Sequence, residues 1–219
     1  LGPDNDGEGE TAKADFLQKW LAKNIGFDRI ERHDAPDKRV PGGKRPNIIA
    51  VMDGTSGERT IWVMGHLDVV PPGDLGKWKT DPWTATEIDG KLYGRGSVDA
   101  KGALAAFVDT AAGLGAIPGW QIVLIGAVGE ESDSAGARFI VDQYRPEYAI
   151  IGEPSRWERV TLGYKGSAMV DITSRQPTAH PAVQAQNACE AAVEAWKAIQ
   201  SWSEAFNTGR KRVFDQVSS

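Results

Sequence analysis

The 219-residue chain has a single cysteine, Cys189, so it forms no internal disulfide and draws no stability from a covalent framework. It contains no apolar run long enough to cross a bilayer and no secretory-type apolar segment, and a reducing cytoplasm is the expected setting. Basic residues are in deficit: 25 Lys and Arg stand against 30 Asp and Glu, for a net charge of -5. No basic surplus exists to neutralise a phosphate backbone or an anionic lipid surface, so neither nucleic acid nor membrane is an expected partner. A phosphate-cradling loop is missing too. Tyr93-Gly94-Arg95-Gly96 and Lys101-Gly102 approach one in composition, but neither complete glycine-rich signature occurs.

What is present is an alternation. Hydrophobic residues make up 41% of the chain, enough for one good core and part of a second. After a Gly- and acid-rich start, Phe16, Leu17, Trp20 and Leu21 mark one face of a helix closed by Gly26. Strand-like character follows at 29–33 and 47–52, separated by a loop over 35–46 that holds three prolines and two glycines. His33 sits in the charged run Glu31-Arg32-His33-Asp34 and is expected at a solvated strand end.

From residue 60 the pattern reads strand (60–65), a loop, helix (100–114), strand (121–128), helix (135–144), strand (148–151). This β-α-β-α-β rhythm predicts an α/β fold, a mostly parallel sheet flanked by helices. Ligand sites in such sheets collect at the carboxyl ends of the strands. The residues there are unusual: one strand ends at His66 and Asp68, the next at Gly129-Glu130-Glu131, the third at Gly152-Glu153-Pro154. Asp99, just before a helix, falls on the same edge. Carboxylates crowded in this way repel one another and resist ionisation unless a cation neutralises them. One imidazole with several carboxylates suits zinc, with cobalt or manganese as substitutes. Two ions about 3.5–4 Å apart sharing a carboxylate and a water would satisfy the ligand count and favour hydrolysis.

The motifs that carry these residues resemble a known family. Gly65-His66-Leu67-Asp68-Val69-Val70-Pro71, Asp81-Pro82-Trp83, Leu92 to Gly96 with Asp99-Ala100-Lys101-Gly102, Gly129-Glu130-Glu131-Ser132 and Gly152-Glu153-Pro154 are similar, in order, to the M20 metallopeptidases and aminoacylases. Within that family, Leu162 to Gly166, Thr178-Ala179-His180 and 188–192 most resemble the hydrolases that free lysine or ornithine from an amino-group carrier protein, in the acetylornithine deacetylase and succinyl-diaminopimelate desuccinylase group. The resemblance implies a zinc-peptidase-like fold and two Zn2+ per site, with Co2+ or Mn2+ as substitutes. It implies that His66 and Glu153 bind one ion, Glu131 the other, and Asp99 both. Asp68 would fix the His66 ring. Glu130 would be the general base that takes a proton from the water and passes it to the leaving amine. The Asp99-Ala100 bond would be cis. His180, preceded here by Ala179 where many members have glycine, would polarise the scissile carbonyl from a lid domain; a helix-entry residue that caps or packs is the alternative.

The same resemblance divides the chain into a catalytic metal-binding domain, 1–160, incomplete as it stands, and the first part of an inserted α+β lid and dimerisation domain, 161–219. The expected partners are an N-acyl or carrier-protein-linked amino acid and, through the lid, a second copy of the chain. A further metal-ligand histidine and the groups for the substrate carboxylate belong, in the family, to a later segment. The chain is therefore expected to be an N-terminal fragment of an active parent, the alternative being a non-catalytic metal- or amide-binding module; a related dipeptidase or desuccinylase is a second alternative. In the second domain, 161–173 is strand-like and 183–207 has helical spacing. Cys189 in its Ala-rich pattern is expected to be buried, and the eight tryptophans to serve chiefly as core and loop anchors.

Overall fold

The structure is a computed structural model that describes residues 1–55, 59–156, 158–177 and 186–218. It divides into two compact units, Leu1–Trp157 and Glu158–Ser219. In the first, helix α1 (Thr11–Asn24) precedes strands β1 (Arg29–Pro36), β2 (Lys44–Asp53) and β3 (Arg59–His66). A short hairpin follows, β4 (Thr86–Ile88) and β5 (Lys91–Tyr93), then helix α2 (Lys101–Leu114), strand β6 (Trp120–Ala127), helix α3 (Ala135–Val141) and strand β7 (Tyr148–Ile151).

Five strands form one sheet in the order β1-β2-β6-β3-β7. The pairs β6-β3 and β3-β7 are parallel, as the alternation predicts, whereas β1-β2 and β2-β6 are antiparallel. The sheet is therefore mixed rather than mostly parallel. The cause is local: β1 and β2 extend into the expected 35–46 loop and close as a hairpin, with Pro36 opposite Lys44, and a connection that short joins only antiparallel neighbours. A second hairpin, β4-β5, lies inside what reads as loop. Its turn is Asp89-Gly90, both with positive φ (51° and 70°), the Asp-Gly pair that a tight hairpin turn prefers.

Alternate residues of the central strands feed two cores. Ile48, Ala50 and Leu124 pack with Leu21 of α1 and with Leu104 and Val108 of α2 on one face. Ile49, Val51, Val123 and Ile125 pack with Ile140 of α3 on the other. Both faces of β2 and β6 are thus buried, which is why their sequences are continuously apolar. Helix α1 is rotated from the face read in the sequence: Ala14 and Leu21 are buried while Phe16 is 68% exposed and Trp20 is also exposed. These two line an apolar groove of about 520 Å³ with Leu104, Ala105 and Val108 of α2.

His33 is not at a solvated strand end. Its ring is half-buried between Gln143 Oε1 and Glu31 Oε2, each 2.9 Å away, with the Tyr144 hydroxyl 3.0 Å from Nε2. The hydroxyl also donates to Glu31, and burial together with that carboxylate pushes Tyr144 up to about 12. Charged neighbours in sequence gave no sign of partners that arrive more than 100 residues later.

The second unit holds one long helix, α4 (Ala188–Asn207), started by a capping box: Asn187 accepts from the Glu190 N–H, and Glu190 accepts from the Asn187 N–H. No strand forms over 161–173, where Met169 is 98% exposed and Leu162 and Val170 are also exposed. Apolar, β-branched character makes a strand only where another strand meets its N–H and C=O groups. Cys189 is exposed, not buried, and so are Trp196 and Trp202; of the described tryptophans, Trp62 is the one in the core. No described helix is long and apolar enough to cross a membrane.

Candidate metal centre

The parallel pairing of β3 with β6 and β7 brings three strand ends level: His66 lies opposite Ala127, and Met64 opposite Ile151. His66 is the last residue of β3 and only 1% exposed. Its Nε2 is 2.9 Å from Asp99 Oδ1, and its Nδ1 is 3.0 Å from the backbone carbonyl of Asp68. Asp99 arrives from the loop before α2, through an Asp99-Ala100 bond that is cis.

Glu130 and Glu131 sit on the turn after β6. Its first residue, Gly129, has φ +73°, a left-handed conformation in which a side chain would be strained. The Gly129 carbonyl accepts the Ser134 N–H at 2.7 Å and closes the turn. Glu153 follows β7, whose end is fixed by the Gly152 N–H donating to the Met64 carbonyl at 2.8 Å. A side chain at Gly152 would meet the Ala103 Cβ at 2.7 Å and the Phe107 ring at 2.8 Å, so only glycine lets the strand end approach α2.

Two donor sets result, His66 with Asp99 and Glu131, and His66 with Glu130 and Glu153; within each, one ligand atom per residue lies within 4.8 Å of the others. Of the sequence-predicted site residues, His66, Asp68, Asp99, Glu130, Glu131 and Glu153 are therefore assembled at one edge, and His180 lies outside the described residues. The Asp68 carboxylate does more than face the His66 ring. It is 3.6 Å from Nδ1, and its oxygens accept the backbone N–H groups of Glu130 (3.1 Å) and Glu131 (3.0 Å). Asp68 touches the ring through its main chain and the Glu130-Glu131 turn through its side chain.

The electrostatics match a site built for cations. Burial, with the neighbouring Glu130 and Asp99 carboxylates, pushes Glu153 up to about 7. Burial likewise raises Glu130 and, with Asp99, raises Glu131. On His66 the cost of burial is outweighed by the Asp68 and Asp99 carboxylates, and its pKa is pushed up to about 9. Three carboxyls that hold protons too tightly and an imidazole that stays charged are the response of crowded anions with nothing else to neutralise them. A divalent ion would displace those protons, and one imidazole with carboxylate oxygens is a donor set that zinc accepts.

The model of peptidase family M20/M25/M40 matches residues 62–210, more than half of the chain and the whole metal-competent edge. The chain belongs to this family. Among its relatives, this M20 member is 35% identical over 214 residues to the [LysW]-lysine hydrolase of Deinococcus radiodurans, covering 95% of this chain and 53% of the relative. It is 30% identical over 208 residues to succinyl-diaminopimelate desuccinylase 2 of Shewanella loihica, covering 85% and 52%. Among solved structures, human carnosine dipeptidase 1 aligns with a TM-score of 0.51 and 30% identity, over 67% of this chain and 32% of that one. The M20 chain described here spans about half the length of the curated relatives it matches.

Sequence reasoning missed the supports beneath the ligands. Strand β2 runs antiparallel to β6, so the start of β2 lies beside the end of β6. From there Asn47, fully buried, accepts the Val128 N–H at 3.1 Å, and Arg45, fully buried, lies against Gly129. Burial and the neighbouring Lys13 push the pKa of Lys101, which follows the cis bond, down to about 8, against the opposing pull of the Asp68 and Asp99 carboxylates. The one available signal was polarity: Arg45 and Asn47 flank a proline at the head of an otherwise apolar strand.

Proposed function

We propose that this chain carries the water-activating centre of a metal-dependent amidohydrolase, which releases a free amino acid, lysine or ornithine in preference, from an N-acyl or carrier-protein-linked amide. The observation that carries this reading is the pair of donor sets sharing His66, which unites groups from four separate stretches of sequence. The lysine or ornithine preference rests on the likeness to the [LysW]-lysine hydrolase and the desuccinylase.

In this reading Zn2+ would be the resident metal, two ions per site, with Co2+ or Mn2+ as substitutes; the resemblance assigns His66, Asp99 and Glu153 to one ion and Asp99 and Glu131 to the other, whereas the geometry groups Glu131 with His66 and Asp99, and Glu153 with His66 and Glu130. The metal supplies Lewis acidity that brings the pKa of a water toward neutrality. The residues of the chain do the rest. Glu130 accepts the proton of the attacking water and delivers it to the amine as the amide C–N bond breaks. Asp68 holds the Glu130 and Glu131 backbones and the His66 ring in register. His180, in the second unit, polarises the scissile carbonyl, and that unit pairs two copies of the chain; both rest on the resemblance of the 178–192 motifs. The setting is cytoplasmic.

The test is Glu130→Gln, assayed on a panel of N-acetyl-, N-succinyl- and carrier-linked lysine and ornithine. The expected result is retained zinc with kcat lowered by roughly 100–10,000-fold, the range of a lost general base. Hydrolysis by Glu130→Gln at the wild-type rate, or zinc binding lost with the same substitution, would remove Glu130 from the role. A full-length parent protein that binds zinc yet hydrolyses nothing on the panel would point to a binding module.

A further inference from the structure

The Arg45-Glu10 pair is the deepest charged contact in the described residues. Both residues are 0% exposed. Arg45 donates from Nε to Glu10 Oε2 at 2.9 Å and from Nη2 to Glu10 Oε1 at 2.5 Å, a two-pronged grip that fixes the plane of the guanidinium. The third nitrogen, Nη1, is buried without a hydrogen bond and stands 3.6 Å from Asp37 Oδ2. A Cβ placed on Gly129 would lie 2.9 Å from Nη1, 3.2 Å from Nη2 and 3.3 Å from Cζ, so the guanidinium lies against the backbone of Gly129. Because Glu10 clamps it, this is not the loose end of a side chain that could swing aside.

Gly129 is where the turn bearing Glu130 and Glu131 begins, and both of their N–H groups are drawn to Asp68. The turn is thus held from two directions, by a carboxylate beyond it and a buried cation beneath it. A salt bridge this deep is an uncertain source of stability, because desolvating two charges costs about as much as their attraction returns. Its place under the turn gives it a different use.

We propose that Arg45, clamped by Glu10, is a positioning residue for Glu130 and Glu131. It acts through Gly129: the rigid guanidinium forms the floor on which the turn is shaped, so that the base and a metal ligand point at His66. The positioning of the base rests on the amidohydrolase reading; the shaping of the turn does not.

The experiment replaces the pair by neutral groups of similar size, Glu10→Gln with Arg45→Met, a change that removes both buried charges and is compatible with folding. Arg45→Lys, which keeps the charge and loses the fork, is the second variant. Amide hydrogen exchange is read in the metal-free proteins. The Glu130 and Glu131 N–H groups are expected to exchange at least about tenfold faster than in wild type, while the Gly152 N–H, on the β7 side, is unchanged. Co2+ affinity is expected to fall roughly 10–100-fold, as for lost outer-shell partners. The loss should be non-additive with Glu131→Gln and additive with Glu153→Gln. Unaltered exchange at Glu130 and Glu131, or acceleration at all three amides together, overturns the proposal, the latter showing a purely structural pair. A wild type that takes up no Co2+ overturns the amidohydrolase reading instead, and leaves the exchange result to decide the positioning role.

Discussion

Glu131 and Glu153 reach the same imidazole from supports of opposite kind. Glu131 hangs from β6, a strand buried on both faces, on a turn tied to Asp68 and floored by Arg45. Glu153 hangs from β7, an edge strand of four exposed residues, and is placed by one backbone bond and by a glycine packed tightly on α2. One side is positioned by buried polar groups, the other by strand register and close packing. An edge strand has neighbours on one side only, so its end can be fixed cheaply by a small residue, whereas a turn beyond a central strand needs its N–H groups satisfied in the interior.

The comparison is broken hardest on the polar side. Asp68→Ala removes the charged acceptor of the part-buried Glu130 and Glu131 N–H groups, and a hydrogen bond to a charged group is worth about 1.5–3 kcal/mol. Thermal unfolding should show that loss, and Zn2+ affinity should fall roughly 10–100-fold. On the packing side, Gly152→Val forces its side chain into Ala103 and Phe107; the expected loss is about 1–3 kcal/mol of stability, with the Glu130 and Glu131 amide exchange unchanged. If both substitutions loosen the same amides, the two supports are one.

A subtler separation uses pH in metal-free protein. Glu153 is raised from 4.5 to about 7 by folding, so the folded state binds the extra proton between those values and stability falls as pH rises through that window. His66 is raised from 6.5 to about 9; its contribution is full below 6.5 and is lost as pH rises through 9. The melting temperature should therefore decline from about pH 4.5 to 8, above which Lys101, lowered to about 8, works against the His66 contribution. Glu153→Gln should make the acid half of that decline shallower, Glu130 and Glu131 supplying the remainder, and leave the alkaline half, and saturating Zn2+ should reverse it. A melting temperature that rises over the same range would contradict the assigned shifts.

His66, Glu131 and Glu153 were legible in the sequence because each ends or follows an apolar strand, and Asp99 because it stands just before a helix on the same edge. Ile61 to Met64, Ile122 to Val128 and Ala149 to Ile151 are recognisable as buried runs, and the polar residues that stop them fall on one edge once the strands are parallel. The β4-β5 hairpin could have been read from Asp89-Gly90. The roles of Arg45, Asn47 and Glu10 could not. They act across pairings 35 to 81 residues apart in sequence, and nothing in a lone arginine near a proline announces which glycine it will lie beneath. The same holds in part for Asp68, where adjacency to His66 suggested the ring, and the structure adds two amides that lie beyond α2 in the sequence. The failed strand at 161–173 has the converse cause: its residues suit a sheet, and among the described residues of the second unit no strand is there to receive them.

The central claim, that His66 and dispersed carboxylates form one metal centre, is tested most directly by titrating the chain with Co2+ and following the His66 imidazole signal by NMR. The account predicts saturable uptake with a strong paramagnetic shift of His66 and not of His33, abolished by the double substitution Asp99→Asn with Glu153→Gln. Uptake that leaves the His66 signal where it was, or no uptake at all, would contradict it.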